Sequence, residues 1–465
     1  MATSHLWQEH WAPDPPPLTI DKSDPFAYFF DVCNSKSRLI RGHRWQHPYV
    51  WIFALALILR LVSLWTLAAH VGADRLSQLS PDMRGYYAAA QTISEYFYFG
   101  HRAITYFGPG YPSFLSLVGL PCGLKPICLI TAQVVLSACG SVLLAMFTFR
   151  LTGNRTVSLV VGFLNACSLL SIMLSCLMWS ETLFFVLTTS AFVTLLAGLQ
   201  SNRSMPFIFS GLLFSAALLT RSMGQYLPLV AASLSILYVF CPVQKSNVSI
   251  WRRLWRPGLT VIIPVLVSLV WIARNEKFDN HSYLTLAIPH GIGKVVRLVW
   301  TETDGITYEQ ADQRFREELE QHHAIKVSYA RALSDTAPKL LAQQWWKHPV
   351  TTTWVIVRNA LRNMTVDSTA DQLAGWGGGV IETAGDVLRT PLLNLRGIVS
   401  ALLGIILLAW RKERRILISL LLIYAYFGAA SAFALNQGSR IFYPGQIAST
   451  VLLAYLLVAL LDWIK

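Results

Sequence analysis

Charge is what this chain has least of. Asp, Glu, Lys and Arg make up 14% of its 465 residues, where an ordinary soluble domain carries about a quarter. With 54% hydrophobic residues and a mean hydropathy of +0.46, that shortage excludes a conventional soluble globule and leaves a polytopic membrane protein. Acids are the scarcer sign, 25 against 38 bases, for a net charge of +13. Such an excess raises nucleic-acid binding, yet no basic-aromatic module accompanies it. In a membrane protein it has a simpler origin, because Lys and Arg gather in cytoplasmic loops and fix orientation. The seven cysteines include no CxxC pair of the kind that binds zinc. Cys139 and Cys167 fall in apolar spans as small hydrophobes. Cys122 and Cys128 are close enough to bridge if their loop faces an oxidising compartment, and the sequence leaves that open. An internal repeat that would argue for a two-fold transporter is also missing. Residues 1–48 form no cleavable signal: they are polar and Pro-rich, with Asp14-Pro15-Pro16-Pro17. They read as a cytosolic tail with an interfacial helix near 26–30.

What is present is a succession of apolar windows long enough to cross a bilayer as helices, about 17–25 residues each. They lie near 49–69, 127–149, 156–176, 180–199, 205–221, 224–241, 257–274, 391–410, 413–434 and 441–464. Their connections sort by charge. Alternate ones carry Lys36, Arg38, Arg41 and Arg44, then Arg150 and Arg155, Arg203, Lys245 with Arg252, Arg253 and Arg256, and finally Arg411, Lys412, Arg414 and Arg415. The other short connections are almost free of base, so the basic set is expected to be cytoplasmic, with both termini on that side and an even number of spans.

Two large segments then fall on the other face, about 70–126 and 275–390. The second has room for a small subdomain. It contains a charged helical stretch over 308–321, a Trp345-Trp346-Lys347-His348-Pro349 corner, and apolar segments such as 353–357 suited to helices resting on the membrane surface. Gly291-Ile292-Gly293 and Gly377-Gly378-Gly379 lack a following phosphate-loop pattern and read as turns.

The first loop reads Ser80-Pro81-Asp82-Met83-Arg84-Gly85-Tyr86-Tyr87, a helical run, then Phe107-Gly108-Pro109-Gly110-Tyr111-Pro112. Asp82 is a lone carboxylate in an almost uncharged setting, and a charge held beside a bilayer is costly and usually has a task. On the same face, Glu181 follows Met178-Trp179-Ser180, Arg221 ends Leu218-Leu219-Thr220-Arg221, Arg274 precedes Asn275, and Arg440 opens the last window. Two carboxylates and three guanidiniums thus flank one membrane-level region. Guanidinium binds phosphate with a fixed fork of donors and keeps its proton, and it stabilises the charge that grows on a departing phosphate. A carboxylate facing the anomeric carbon can take the proton of an attacking hydroxyl. Each residue also has a plainer explanation. An Arg at a helix end snorkels to headgroups, Glu181 suits a helix N-terminus, and Asp82 after Pro81 suits the start of a helix. Arg60, inside the first window, has no evident partner and reads as structural. The aromatics Tyr96, Phe97, Tyr98, Phe99, Tyr106 and Phe107 read as interfacial anchors ahead of a sugar or isoprenoid path.

Asp82 with Tyr86-Tyr87-Ala88-Ala89-Ala90 and Pro109-Gly110-Tyr111-Pro112 resembles the first outer loop of GT-C glycosyltransferases, most nearly the dolichyl-phosphate-mannose protein mannosyltransferase-like group. Ser180-Glu181, Thr220-Arg221, Trp271 with Arg274-Asn275, and Arg440 with Tyr443-Pro444 resemble family signposts in the same order. The resemblance implies an inverting transferase using a polyprenyl monophosphate sugar on the non-cytoplasmic face. It implies Asp82 as catalytic base, and Arg440, then Arg274 and Arg221, as donor-phosphate ligands. Many members have Asp-Glu where this chain has Asp82-Met83, so Glu181 is the candidate second acid. His348-Pro349 resembles a corner of the family's long loop.

The expectation is therefore an all-α polytopic membrane protein with a GT-C-like fold of about ten transmembrane helices. Its parts are a cytosolic tail (1–48), a transmembrane module (49–274) holding the first outer loop (70–126), a non-cytoplasmic subdomain (275–390) and C-terminal transmembrane helices (391–465). Its partners would be a polyprenyl-phosphate sugar, a lipid, glycan or protein acceptor and the membrane, with no nucleic acid. No cofactor is identified, and no dedicated ligand cluster marks a metal, so metal assistance stays open. The rivals are a lipid or small-solute transporter, which would bury its charges near the midplane on broken helices, and a polysaccharide polymerase or ligase using a pyrophosphate-linked donor.

Overall fold

The computed structural model describes residues 47–201, 203–240, 250–279, 281–322, 328–365, 391–433 and 439–464. The expected tail, its helix near 26–30 and the turn at 377–379 lie outside them. Among the described residues there is no strand. The first apolar helix, α1 (His47–Val71), leads into a loop that is itself helical: a 3-10 turn at Ala73–Ser77, α2 (Pro81–Tyr96), α3 (Arg102–Phe107) and α4 (Gly110–Gly119). Then come α5 (Pro126–Thr152), α6 (Arg155–Ala166), α7 (Leu169–Cys176), α8 (Glu181–Ser201), α9 (Ser204–Thr220), α10 (Leu227–Phe240) and α11 (Ile250–Asp279). The second large loop holds α12 (Ala287–Thr303), α13 (Tyr308–His322), α14 (Tyr329–Lys347) and α15 (Pro349–Thr365), and α16 (Pro391–Trp410), α17 (Arg414–Ala432), α18 (Ser439–Phe442) and α19 (Gln446–Ile464) follow.

Among the described residues, seven helices are long and apolar enough to cross a membrane, or eight if the bent pair α6–α7 is one span. Two shorter apolar helices, α9 and the 401–410 stretch of α16, stand at two further expected windows. Every apolar window of the sequence thus coincides with helix, in an integral, multi-pass membrane protein. Packing rather than water exclusion holds such helices together in lipid. Phe192 of α8 sits between Phe147 of α5 and Phe214 of α9, with ring centroids 6.0 and 5.2 Å away.

The window at 156–176 is not one straight helix. It breaks after Ala166 with a bend of 50°, Ser168 caps the second piece by accepting from Ser171 N at 3.4 Å, and Arg60 fills the break. Its side chain is fully buried. Nη1 donates to the carbonyls of Ala56 and Ala166 at 3.0 Å each, Nη2 to Asn165 O at 3.3 Å and Ser171 Oγ at 2.8 Å, and Nε to Ser137 Oγ at 2.8 Å. A broken helix leaves carbonyls without partners, and their negative end favours a cation. Arg60 meets both needs, which gives the structural role expected for it a definite form.

Outside the spans, α12, α13 and α14 share a hydrophobic cluster of their own around Val296, Trp300, Phe315, Leu333 and Leu340. The Gly291-Ile292-Gly293 stretch, expected as a turn, lies inside α12. Here glycine serves close approach: a Cβ on Gly291 would run into the carbonyl oxygen of Phe433 at the end of α17. That contact presses the first turn of α12 against the transmembrane bundle. Asn363 of α15 reinforces the seam by donating to Ser431 O of α17 at 2.7 Å. The stretch 353–357 is part of α15, where Val350, Trp354, Val357 and Leu361 are exposed. Cys122 and Cys128 are joined by a disulfide between α4 and α5.

Candidate active site

Ser80 starts α2 by accepting a hydrogen bond from Met83 N at 3.3 Å, with Pro81 as the first helical residue. That fixes Asp82 in the first turn. The Trp179 indole nitrogen donates to the same Ser80 hydroxyl at 3.2 Å, tying the loop to the start of α8. The chain leading into Glu181 is held by Gln133, which is fully buried in α5. The Gln133 amide donates to the carbonyls of Leu174, Ser175 and Leu177 and accepts from the Tyr111 hydroxyl at 2.6 Å. The chain between α7 and α8 is thereby fixed just before Glu181. Gly108 and Gly110 let the first loop lie against the end of α9, since a Cβ on either would clash with Leu219 or Thr220. Arg221 is the next residue.

The starts of α2 and α8, the end of α9 and the short α18 bring Asp82, Glu181, Arg221 and Arg440 into one cluster. Arg440 Nη2 is 3.0 Å from Asp82 Oδ2, and Arg440 Nε donates to Glu181 Oε1. Arg221 Nη1 is 2.7 Å from the same Glu181 oxygen and donates to Ser180 Oγ at 3.1 Å. The Arg440 guanidinium stacks over the Trp179 ring at 3.8 Å, a cation–π contact that adds to the ion pairs. Side-chain exposure is graded: Glu181 0%, Arg440 5%, Arg221 12% and Asp82 26%. Glu181 is thus an internal anchor for two guanidiniums, and Asp82 is the acid that faces open space.

That space is a cavity of 360 Å³ lined by Asp82, Tyr86, Tyr106, Ser180, Arg221, Tyr226, His290, Phe433 and Arg440 among others. Burial, and then the nearby Asp82 charge, push the Tyr106 hydroxyl up to about 12. Tyr86, bonded to Ser180 Oγ at 3.2 Å, is also raised, by burial first and against the pull of Arg221. Both phenols stay protonated and available as hydrogen-bond donors at neutral pH. His290 packs edge-on to Tyr106, ring centroids 5.8 Å apart. Its pKa is lowered by burial, then by Arg297 and Lys294. The walls therefore offer hydroxyl and imidazole groups on one side and paired charges on the other.

Arg274 is not part of the cluster. Its guanidinium pairs with Asp279, donates to Phe99 O at 2.8 Å and Asn275 Oδ1 at 3.0 Å, and lies 5.0 Å from the Trp271 ring centroid. It clamps the end of α11 to the first loop. The sequence reading did not single out Ser180 alone, Tyr226, His290 or Lys294. A helix-period reading of 287–303 would have put His290 and Lys294 on one face, but the Gly-x-Gly signal hid that helix. Among the described residues, no group of three or more His, Cys, Asp or Glu could hold a metal ion.

No family model matches the chain, and no curated protein matches it in sequence. Solved structures do. The chain is similar to the archaeal oligosaccharyltransferase AglB from Archaeoglobus fulgidus, in complex with an inhibitory peptide and a dolichol-phosphate. The TM-score is 0.52 at 12% identity, over 90% of this chain and 51% of that one. The oligosaccharyltransferase of the same organism, in complex with Zn and sulfate, superposes with a TM-score of 0.50 at 14% identity, over 90% and 49%. This chain therefore spans about half the length of the oligosaccharyltransferase structures it matches. ArnT from Cupriavidus metallidurans in the apo state superposes over 87% of this chain and 76% of its own at 17% identity, but with a TM-score of 0.39 it adds no argument. The likeness is one of fold: the all-α, polytopic, GT-C-like architecture expected from the sequence is the one observed.

Proposed function

We propose that this chain is a GT-C-type membrane glycosyltransferase that moves a sugar from a polyprenyl-phosphate donor to an acceptor hydroxyl on the non-cytoplasmic face. The observation that carries the reading is the pairing of Asp82 with Arg440 at the cavity wall, 3.0 Å apart. An acid that faces the cavity stands beside a guanidinium fixed from behind by Glu181. In this reading the donor phosphate draws Arg440 and Arg221 toward its oxygens, which releases the Asp82 carboxylate to the acceptor. The acceptor oxygen attacks the anomeric carbon, the carbon–oxygen bond to phosphate breaks, its electron pair leaves with the phosphate, and the hydroxyl proton passes to Asp82. One displacement inverts the anomeric centre. Arg274 is left out of the phosphate set because Asp279 and the Phe99 carbonyl occupy it, and Glu181 acts as the anchor rather than a second base.

Sidedness rests on the basic connections and on the Cys122–Cys128 disulfide, which suits an oxidising compartment on the side of the first loop. Both termini are then cytoplasmic, and 275–390 is a non-cytoplasmic subdomain between the transmembrane module (49–274) and the C-terminal helices (391–465), with α12 and α14 contributing Ala287, His290 and Leu341 to the cavity wall. The four charges at the cavity sit at helix ends, and the one charge placed at a helix break, Arg60, is consumed by carbonyl and hydroxyl acceptors, which favours the enzyme over a transporter. The test is transfer by the purified Asp82→Asn protein from radiolabelled polyprenyl-phosphate sugars. The expected loss is about 10²–10⁴-fold with folding intact, and turnover equal to wild type would sink the mechanism. Mass spectrometry of lipid-linked sugars accumulating in a deletion strain would identify the donor.

A further inference from the structure

We propose that α15 is a docking face for an anionic lipid surface, the leaflet that meets the end of α17 at Ala432. The proposal stands apart from the cavity and from the transfer reaction. α15 is inverted relative to a helix of a soluble domain. Val350, Trp354, Val357 and Leu361 recur every three or four residues and form one stripe. All four are exposed, Val350 at 81% and Trp354 at 54%. The opposite face carries Thr352, Val355, Asn359 and Asn363 at the same spacing, and these are buried. Val355 packs with Val295 and Val299 of α12, and the Thr352 hydroxyl donates to Gln344 O at 3.2 Å. A helix that turns its amides inward and its tryptophan outward presents an interaction surface.

Depth and charge name the occupant. Asn359 donates to Ala432 O, and Asn363 to Ser431 O at 2.7 Å. These are the last carbonyls of α17, a helix long and apolar enough to cross a membrane. α15 therefore lies at the end of a span, where acyl chains give way to headgroups, on the side away from the Arg411–Arg415 connection. It also packs against α16, whose Leu402 and Ile406 are exposed, so the stripe adjoins the apolar outer surface of the bundle. Trp346, exposed at the end of α14 just before the corner that starts α15, is an aromatic suited to this depth. Between Asp335 and Asp367 the chain has no acid, yet it has Lys339, Lys347, Arg358 and Arg362. Arg358 is matched by Glu302 of α12 at 2.6 Å, while Lys347 and Arg362 are exposed near the two ends of the stripe. An apolar stripe bordered by bases and free of acid suits anionic lipid, each base adding about fivefold to the partition. The same charges disfavour a second copy as occupant, because two such stripes face to face would oppose like signs.

The test places the photoreactive residue p-benzoylphenylalanine at Val357 of the full-length protein, in nanodiscs of equal parts phosphatidylcholine and phosphatidylglycerol. Adducts formed on irradiation are identified by mass spectrometry. The same probe at Leu269, exposed on the span α11, sets the full lipid yield. At Glu320, exposed on α13 outside the spans, it sets the background. The probe at Val357 should give lipid adducts in a yield near that at Leu269, and they should favour phosphatidylglycerol. The double substitution Lys347→Gln/Arg362→Gln should cut that preference by about fivefold or more and keep the lipid adducts. Lys347→Arg should leave the preference unchanged. Adducts to a second copy, or to another part of the chain, would mean that protein covers the stripe and would overturn the proposal. A Val357 yield no higher than at Glu320 would overturn it too, as would equal labelling of the two lipids unmoved by the double substitution. Should the Val357 protein fail to fold, the probe at Val350, also exposed on the stripe, gives the same readout. None of these outcomes depends on whether the chain transfers a sugar, so the two readings fail separately.

Discussion

Replacing Glu181 by Gln keeps the side chain's shape, removes one negative charge and leaves two guanidiniums facing a neutral amide. Glu181 is fully buried, Arg440 is 5% exposed, and both Arg440 and Arg221 aim at one Glu181 oxygen. Breaking a buried ion pair by neutralising one partner costs about 3–5 kcal/mol. Two features bring the figure to the low end: Asp82 still offsets Arg440 at 3.0 Å, and Arg221 is 12% exposed and can turn toward the cavity. We therefore expect about 3 kcal/mol, a large share of the ~5–15 kcal/mol that holds a typical fold. The assay is unfolding in mixed micelles at rising SDS fraction, read by tryptophan fluorescence and extrapolated to zero denaturant. The double variant Glu181→Gln/Arg221→Gln removes both partners and should lose less than the sum of the single variants, with a coupling of about 1–3 kcal/mol. A Glu181→Gln loss below about 0.5 kcal/mol, the size of an ordinary surface change, would refute the anchor role.

Arg60→Met would strip donors from the carbonyls of Asn165 and Ala166 and from two serine hydroxyls, and should cost about 2–4 kcal/mol in the same unfolding assay. Arg60→Lys should not rescue it, because one ammonium cannot span acceptors that a planar fork reaches; full rescue would count against the capping role. Gly291→Ala decides between two signs. In an ordinary helix interior it would gain about 0.5–1 kcal/mol, whereas a Cβ driven into the Phe433 carbonyl should lose about 1–3 kcal/mol. A stabilised Gly291→Ala protein would mean that α12 does not bear on α17 in this way.

The fold was legible because membrane spans are written in long apolar runs, and every such run is helical here. The break at 166–169 was not, since the group that satisfies its carbonyls is a guanidinium more than a hundred residues away. The sequence placed four charged residues at span ends and Asp82 in the first loop, but pairing is a three-dimensional choice. Arg274 has Asp279 five residues on and pairs locally. Arg221 and Arg440, with no carboxylate so close in sequence, reach Glu181 across the bundle. Gly291-Ile292-Gly293 misled for a related reason. Glycine signals both a turn and close packing, and only the position of the Phe433 carbonyl separates them.

The Asp82–Arg440 pair joins residues 358 positions apart. A ribosome delivers the acid 358 residues ahead of its guanidinium partner. Until α18 and α19 enter the membrane, Glu181 has only Arg221 beside it, and Asp82 has no guanidinium of this cluster. Insertion of α18 and α19 closes the charge balance and completes the cavity wall in one event. A nascent or truncated chain that stops short of it would carry an acid without its counterweight, a mark by which quality control at the membrane could tell finished molecules from unfinished ones.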